Sequence, residues 1–365
     1  MPRRIGPMTS VHANVAAPKR RRRHLLLWCG PAVLSAMALV GSTVSPASTL
    51  VVRRPSTTVP VREIHCNFVD SSRSVPDYAT SPPSVLAKVR ALPTTVWLPP
   101  EGSSEHPRPL VLFAAGYDSY PGIYAPLLMA WAEAGFVVAA PTFPDENPAA
   151  IAAERANTEG DLANEPADIA YVGRALERAS ARRGVSCPAV SGMIEPHVLV
   201  VGGHSDGAIA AALFAFGTGS DPHGTPASAL RSGFLLHGAM IFSGAADGLG
   251  PFGAPDPRLP LLMIQSAGDH CNPERDAVAL YRTLTVDERF FLLLRSAQHR
   301  TPFDGTDKAA FTLVSATSIR FLRLAARGAH LGAGFVAYGD RNPLAGSVDV
   351  DPPITPTLQP NCGPG

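Results

Sequence analysis

From about Val85 onward, short apolar runs alternate with amphipathic stretches, and the two kinds of segment have different periods. The runs Thr94–Leu98, Pro109–Ala114, Phe136–Ala140, Val198–Gly202, Ala239–Ser243, Pro260–Gln265 and Arg289–Arg295 have the length of strands. Val198-Leu199-Val200-Val201 shows no polar alternation, which predicts a strand covered on both faces. Between the runs, Ile169, Val172 and Leu176 recur at helical spacing, as do Ala277, Leu280, Tyr281 and Leu284. Glu165-Pro166 opens the first of these helices, proline being at home in a first turn. A last helix is predicted from about Lys308 to Arg327, with Gly328 to end it. Strands alternating with helices predict an α/β domain over residues 85–330, a mostly parallel central sheet with helices on both faces.

The flanks have another character. Residues 48–84 are rich in Ser, Pro and Thr and read as an extended N-terminal arm; residues 331–365 read as a Pro-rich C-terminal tail without periodicity. Residues 215–238 and 244–259 read as Gly/Pro-rich insertions crossing the surface. There is no internal repeat, and a chain of 365 residues with 45% apolar and 17% charged residues has material for one large core. The formal net charge of +1 argues against a dedicated nucleic-acid binder. That figure hides an asymmetry: seven of the 31 basic residues, and none of the 30 acidic ones, fall in residues 1–47.

Those 47 residues read as an export signal peptide. Lys19–Arg23 precede an uncharged stretch that is apolar as far as Val44, and Ser45-Pro46-Ala47 offers small residues for cleavage. Arg22-Arg23-His24-Leu25-Leu26 also fits a twin-arginine signal, and Gly30, Pro31 and Gly41 speak against a stable membrane span. The expected location is therefore secreted, cell-envelope or periplasmic, by the Sec or the twin-arginine route. After cleavage four cysteines remain: Cys66, Cys187, Cys271 and Cys362. An even number in an oxidising compartment predicts two disulfides, with all three pairings open. Without a C-x-x-C spacing no metal site is expected, and Cys271 reads as a structural half-cystine rather than a reactive thiol.

The chemistry concentrates after the apolar run at Val198. Val200-Val201-Gly202-Gly203-His204-Ser205-Asp206-Gly207-Ala208 contains G-x-S-x-G, preceded by a buried-type strand and followed by an Ala-rich helical run to Phe216. Strand, turn and helix around that serine are what a nucleophile elbow requires, with Ser205 projecting beyond the sheet beside a helix N-terminus. A serine hydroxyl needs a base, and the base needs an orienting acid. Leu261–Gln265 runs into Asp269, and Phe290–Leu294 runs into His299, so both partners follow consecutive strands in the order Ser, Asp, His. Among the rivals, His270 reads as a loop histidine and His204 as packing inside the elbow. His237 and His330 read as ordinary histidines, Asp276 as the substitute acid, and Asp161 and Asp168 as capping or structural acids. The oxyanion would be met by the backbone N–H groups of Asp206 and of Tyr117, in the loop after Leu110–Ala114.

These stretches resemble the α/β-hydrolase superfamily, and within it the exported esterases and lipases related to bacterial cutinases, dienelactone hydrolases and the platelet-activating-factor acetylhydrolase group. The resemblance is carried by Pro109–Pro144, Asp161–Val172, the elbow, Asp269 and His299, which span most of residues 90–325. It implies a serine-dependent ester hydrolase without a cofactor. Three positions depart from the family's pattern. Ala115 stands where a His usually precedes the oxyanion-loop glycine. Asp206 replaces the usual Met, Leu or Gln after the nucleophile. The loop Gly244-Ala245-Ala246-Asp247 lacks the Trp with which polyester-degrading relatives stack aromatic rings, a role left to Tyr117, Tyr120 or Tyr124.

The resulting expectation is an exported, monomeric carboxylic-ester hydrolase whose catalytic residues are Ser205, Asp269 and His299. Tyr117 and Tyr120 are expected at the substrate, which is a small-molecule, lipid or polymer ester. The alternatives are a cutinase-like polyester hydrolase, an acyl-lipid lipase, or a catalytically inactive envelope binding protein on the same fold. A peptidase shares the triad, but no second domain that would select peptides is legible.

Overall fold

The computed structural model describes residues 60–100, 106–153, 158–181, 186–245, 248–332, 335 and 345–349. The export signal and Cys362 lie outside the described residues. Nine strands form the main sheet: β1 (Arg62–Asp70), β2 (Arg90–Leu98), β3 (Arg108–Ala114), β4 (Val137–Pro141), β5 (Ile194–His204), β6 (Leu235–Phe242), β7 (Leu261–Ser266), β8 (Arg289–Leu294) and β9 (Ala345–Asp349). Their spatial order is β1-β2-β4-β3-β5-β6-β7-β8-β9. The six strands from β4 to β8 run parallel; β2, β1 and β9 are antiparallel to their neighbours. A small hairpin, Val75–Asp77 with Ser84–Ala87, stands outside the sheet.

Five long helices cover the sheet: α1 (Ala125–Glu133), α2 (Glu165–Ala181), α3 (Asp206–Phe216), α4 (Glu274–Thr283) and α5 (Lys308–Ala325). Strand residues alternate between two cores. Leu110, Leu112, Leu199, Val201 and Ile241 pack toward α2, α3 and α4, while Val111, Phe113, Val200, Met240 and Phe242 pack toward α1 and α5. With both faces covered, every position of a central strand is worth about 1.5–3 kcal/mol when apolar, which is why these strands read as unbroken runs. On the α1 and α5 face the Trp131 indole N–H donates to Ser318 Oγ at 2.8 Å, so the two helices are pinned as well as packed.

All seven strands expected from the sequence are present, and so are the helices at 165 and 308. Two departures concern the flanks. Residues 62–70, expected in an arm outside the domain, form the edge strand β1, with Cys66, Phe68 and Asp70 inward and their neighbours outward. The period-2 alternation of His65-Cys66-Asn67-Phe68 was present in the sequence but obscured by its Ser/Pro/Thr-rich surroundings. Residues 345–349, expected in a tail, add β9 to the opposite edge, held by ladder hydrogen bonds that composition does not reveal. The main sheet therefore reaches beyond residues 85–330 at both ends. β6 also starts at Leu235, inside what read as an insertion.

Two links fasten the β1 edge. Cys66 on β1 forms a disulfide with Cys187, 121 residues away, in the turn that leads to β5. The second link is ionic. Arg90, at the start of β2 and fully buried, donates to both carboxylate oxygens of Asp161 and of Asp168. Arg73 joins Asp168 to Asp70 at the end of β1. Burial alone would favour a neutral Arg90, but Asp168 and Asp161 outweigh it and hold its pKa above the ordinary arginine value. Asp161 and Asp168 are thus structural, as expected. Replacing Arg90 by Met is expected to cost about 3–5 kcal/mol, because buried Asp161 loses its counter-charge and Asp168 is left with Arg73 alone. Urea denaturation of the variant checks this, and a loss under about 1 kcal/mol would show the network to be dispensable.

Candidate active site

The parallel strands place their carboxyl ends on one edge of the sheet, the edge where open α/β folds form their clefts. Gly203, next to last in β5, pairs with Ala114 of β3 and Ile241 of β6, so the chain leaves the sheet at its centre and turns at once into α3. Ser205 makes that turn with φ 56° and ψ −125°, a conformation costly for a residue with a Cβ. Its N–H donates to the Phe242 carbonyl at 3.0 Å, and its own carbonyl accepts from Ala208 N at 2.9 Å, which fixes the turn from both sides. The flanking glycines are forced by contact. A Cβ on Gly203 would lie 2.1 Å from the Gly207 carbonyl oxygen, and one on Gly207 would lie 2.2 Å from that of Ala114.

Asp269 lies three residues beyond β7 and His299 five beyond β8. Paired loops bring them together: Ala267 N–H donates to the Leu294 carbonyl at 2.8 Å and Gly268 N–H to that of Ala297 at 3.1 Å. His299 Nε2 stands 3.0 Å from Ser205 Oγ, and His299 Nδ1 stands 2.8 Å from Asp269 Oδ2. The Asp269 side chain is fully buried and accepts only. Its Oδ1 takes the N–H groups of Cys271 and Asn272, both at 2.9 Å, and its Oδ2 takes Gln265 Nε2 at 3.2 Å. With every other neighbour donating, His299 must present Nδ1–H to Asp269, which leaves Nε2 as the bare nitrogen facing the serine. A hydroxyl, an imidazole and a buried carboxylate in such a row have the geometry to pass a proton from Ser205 to His299.

The loop after β3 closes the other side. Gly116 lies against the elbow: a Cβ there would come within 2.8 Å of Ser205 Cβ and 2.9 Å of the His204 carbonyl oxygen. Tyr117 follows it, half exposed, and Tyr120 is more exposed still, whereas Tyr124 is fully buried. Asp206 is the first residue of α3 and half-buried. Cys271 lies near Asp269 and His299, but its sulfur is engaged in a disulfide and offers no thiolate to a metal. His270 is exposed, His237 sits in β6 against the Ala325 carbonyl, and Asp276 pairs with Arg275 on α4.

Several polar residues around the site have partners that the sequence did not reveal. His204, expected to be packing, is buried and hydrogen-bonded through both ring nitrogens, to Tyr124 Oη and to the His299 carbonyl, each at 2.9 Å. Burial, then the proximity of His299, push its pKa well below the ordinary histidine value, and burial pushes that of Tyr124 up to about 12. Gln265 and Asn272 hold the Asp269 loop, Gln265 Nε2 donating to the Asn272 carbonyl at 2.6 Å. A glutamine ending the otherwise apolar Leu261-Leu262-Met263-Ile264 was the available signal. Behind α3, Glu146 and Glu165 are buried side by side. Burial and Glu146 drive the Glu165 carboxyl well above its ordinary value, with Asp161 and Asp206 adding to the shift.

The sheet order, the elbow at the centre of the sheet and the Ser–Asp–His loop order define the α/β-hydrolase fold. No protein-family model matches the chain, and no curated protein matches it in sequence. Solved structures resemble it at low identity. A ferulic acid esterase from Streptomyces cinnamoneus is 16% identical, with a TM-score of 0.49 over 74% of this chain and 91% of that one. The esterase Est2 from the planctomycete Thermogutta terrifontis, in its propionate-bound form, is 15% identical, with a TM-score of 0.46 over 64% of this chain and 89% of that one.

Proposed function

We propose that the protein is an exported serine hydrolase that cleaves carboxylic esters through an acyl-enzyme on Ser205. The observation that carries this reading is the unbroken hydrogen-bonded row Ser205, His299, Asp269 at a strained elbow. His299 Nε2 takes the Ser205 proton as Oγ attacks the ester carbonyl, and the resulting imidazolium is held by Asp269. The oxyanion is met by the backbone N–H groups of Tyr117 and Asp206, at the loop pressed against Ser205 and at the N-terminus of α3. Collapse expels the alcohol, which takes the proton from His299. Water, deprotonated by the same base, then releases the acid and restores Ser205.

Export is supported by the Cys66–Cys187 disulfide, which persists in oxidising compartments. Among the described residues, no helix is long and apolar enough to cross a membrane. Tyr117 and Tyr120, both exposed in the stretch that follows β3, are the aromatic side chains offered to a substrate and support a second reading, cleavage of polyesters. Residues 48–365 should hydrolyse p-nitrophenyl esters from acetyl to palmitoyl, and a fluorophosphonate should label the tryptic peptide containing Ser205. The chain-length profile separates esterase from lipase, and a polyester film tests the second reading. A folded, disulfide-bonded protein that neither hydrolyses nor is labelled would reject the reading in favour of an inactive binding protein.

A further inference from the structure

The elbow's variable residue does more than fill space. His204 is 1% exposed, and its ring lies in a wall of aromatic groups: centroid distances are 4.6 Å to His299, 4.8 Å to Phe303 and 5.5 Å to Tyr124. Its two hydrogen bonds determine its protonation. The His299 carbonyl can only accept, so His204 Nε2 carries a proton; burial keeps the ring neutral, so Nδ1 is bare and accepts from the Tyr124 hydroxyl. The same hydroxyl lies 3.5 Å from the Gly116 N–H, in the loop pressed against Ser205. One buried imidazole thereby spans the backbone of the base and the loop across the site from it.

We propose that His204, held as its Nε2–H tautomer between the His299 carbonyl and Tyr124, is a positioning residue that holds the backbone of His299 and so sets the reach of the base to Ser205. The proposal rests on the reading of Ser205 and His299 as nucleophile and base. His299 follows β8 on a loop, and its ring is hydrogen-bonded through both nitrogens; without a hold on its main chain, the 3.0 Å approach to Ser205 Oγ depends on the loop. Neutrality matters as much as grip. A charged His204 would reverse the Tyr124 bond, with Nδ1–H donating to the hydroxyl, and its ring would lie 4.6 Å, centroid to centroid, from the imidazolium that forms on His299 during acylation.

The test uses His204→Phe, His204→Gln and Tyr124→Phe in the mature chain. His204→Phe is expected to lower kcat on p-nitrophenyl acetate about 10²-fold, the scale of a misplaced catalytic group, with KM within about twofold. Fluorophosphonate labelling should slow in proportion. Gln keeps a donor for the His299 carbonyl and an acceptor for Tyr124, so His204→Gln should recover kcat to within about fivefold of the wild type, and Tyr124→Phe should fall between. Ring nitrogen-15 shifts should report Nε2–H on His204, and those of His299 should move in His204→Phe while the urea midpoints of the Gln and Tyr124→Phe variants stay close to wild type. Wild-type kcat in all three variants, with unmoved His299 shifts, overturns the proposal. A wild type that neither hydrolyses nor labels overturns the reading of Ser205 instead. In that case the nitrogen-15 comparison alone decides whether His204 positions His299.

Discussion

Ser205→Ala is expected to hydrolyse p-nitrophenyl acetate with kcat about 10⁶-fold below the wild type. The size of the loss follows from what alanine keeps. It retains the Cβ, so residue 205 still pays for φ 56° and the elbow still hangs from the Phe242 carbonyl; the fold is left alone. Only Oγ goes, and with it the atom 3.0 Å from His299 Nε2. What remains is water attack on an ester held near the oxyanion donors, which sustains a residual rate. Burst titration and steady-state kinetics measure the loss, and an unchanged urea midpoint shows it to be chemical. Activity within tenfold of the wild type would mean that another group attacks the ester.

Asp269→Asn should lower kcat about 10⁴-fold with little change in KM. Every group around this carboxylate donates: two backbone N–H groups at Oδ1, and Gln265 Nε2 together with His299 Nδ1–H at Oδ2. An asparagine has one acceptor where four donors converge. Its oxygen is best used by the two backbone groups, which turns the NH₂ toward His299. The imidazole can meet that donor only by moving its proton to Nε2, and a protonated Nε2 cannot accept from Ser205. The base is present but in the wrong tautomer. Nitrogen-15 shifts of the His299 ring check the proton's position directly, and a kcat within tenfold of the wild type would remove Asp269 from the mechanism.

The sequence made the central strands legible because both of their faces are covered, so that Val198-Leu199-Val200-Val201 had no choice but to be apolar. The elbow was legible for a steric reason: backbone oxygens stand about 2 Å from where a methyl would go on Gly203 and Gly207. Edge strands carry weaker marks. β1 buries one face only, and β9 is recruited by backbone hydrogen bonds, which any residue but proline can make. Pairings across long separations left no local trace. Arg90 meets Asp161 and Asp168 more than 70 residues away, and His204 meets Tyr124 80 residues away. A lone histidine inside an apolar turn reads the same whether it packs or holds a partner, and only the positions of its two hydrogen-bond partners tell the two apart.

The Cys66–Cys187 bond also changes the chain's topology as a polymer. This bond closes residues 66–187 into a covalent ring from which the chain continues as an arm at each end. The ring carries β2, β3, β4, α1, α2 and the loop with Gly116, Tyr117 and Tyr124; the arm beyond Cys187 carries Ser205, Asp269 and His299. A single cut anywhere between residues 67 and 186 opens the ring without releasing either piece, so the loop that completes the site stays tethered to the residues it serves. One scission in the ring therefore releases nothing, whereas beyond Cys187, where Ser205, Asp269 and His299 lie, this bond gives the chain no such protection.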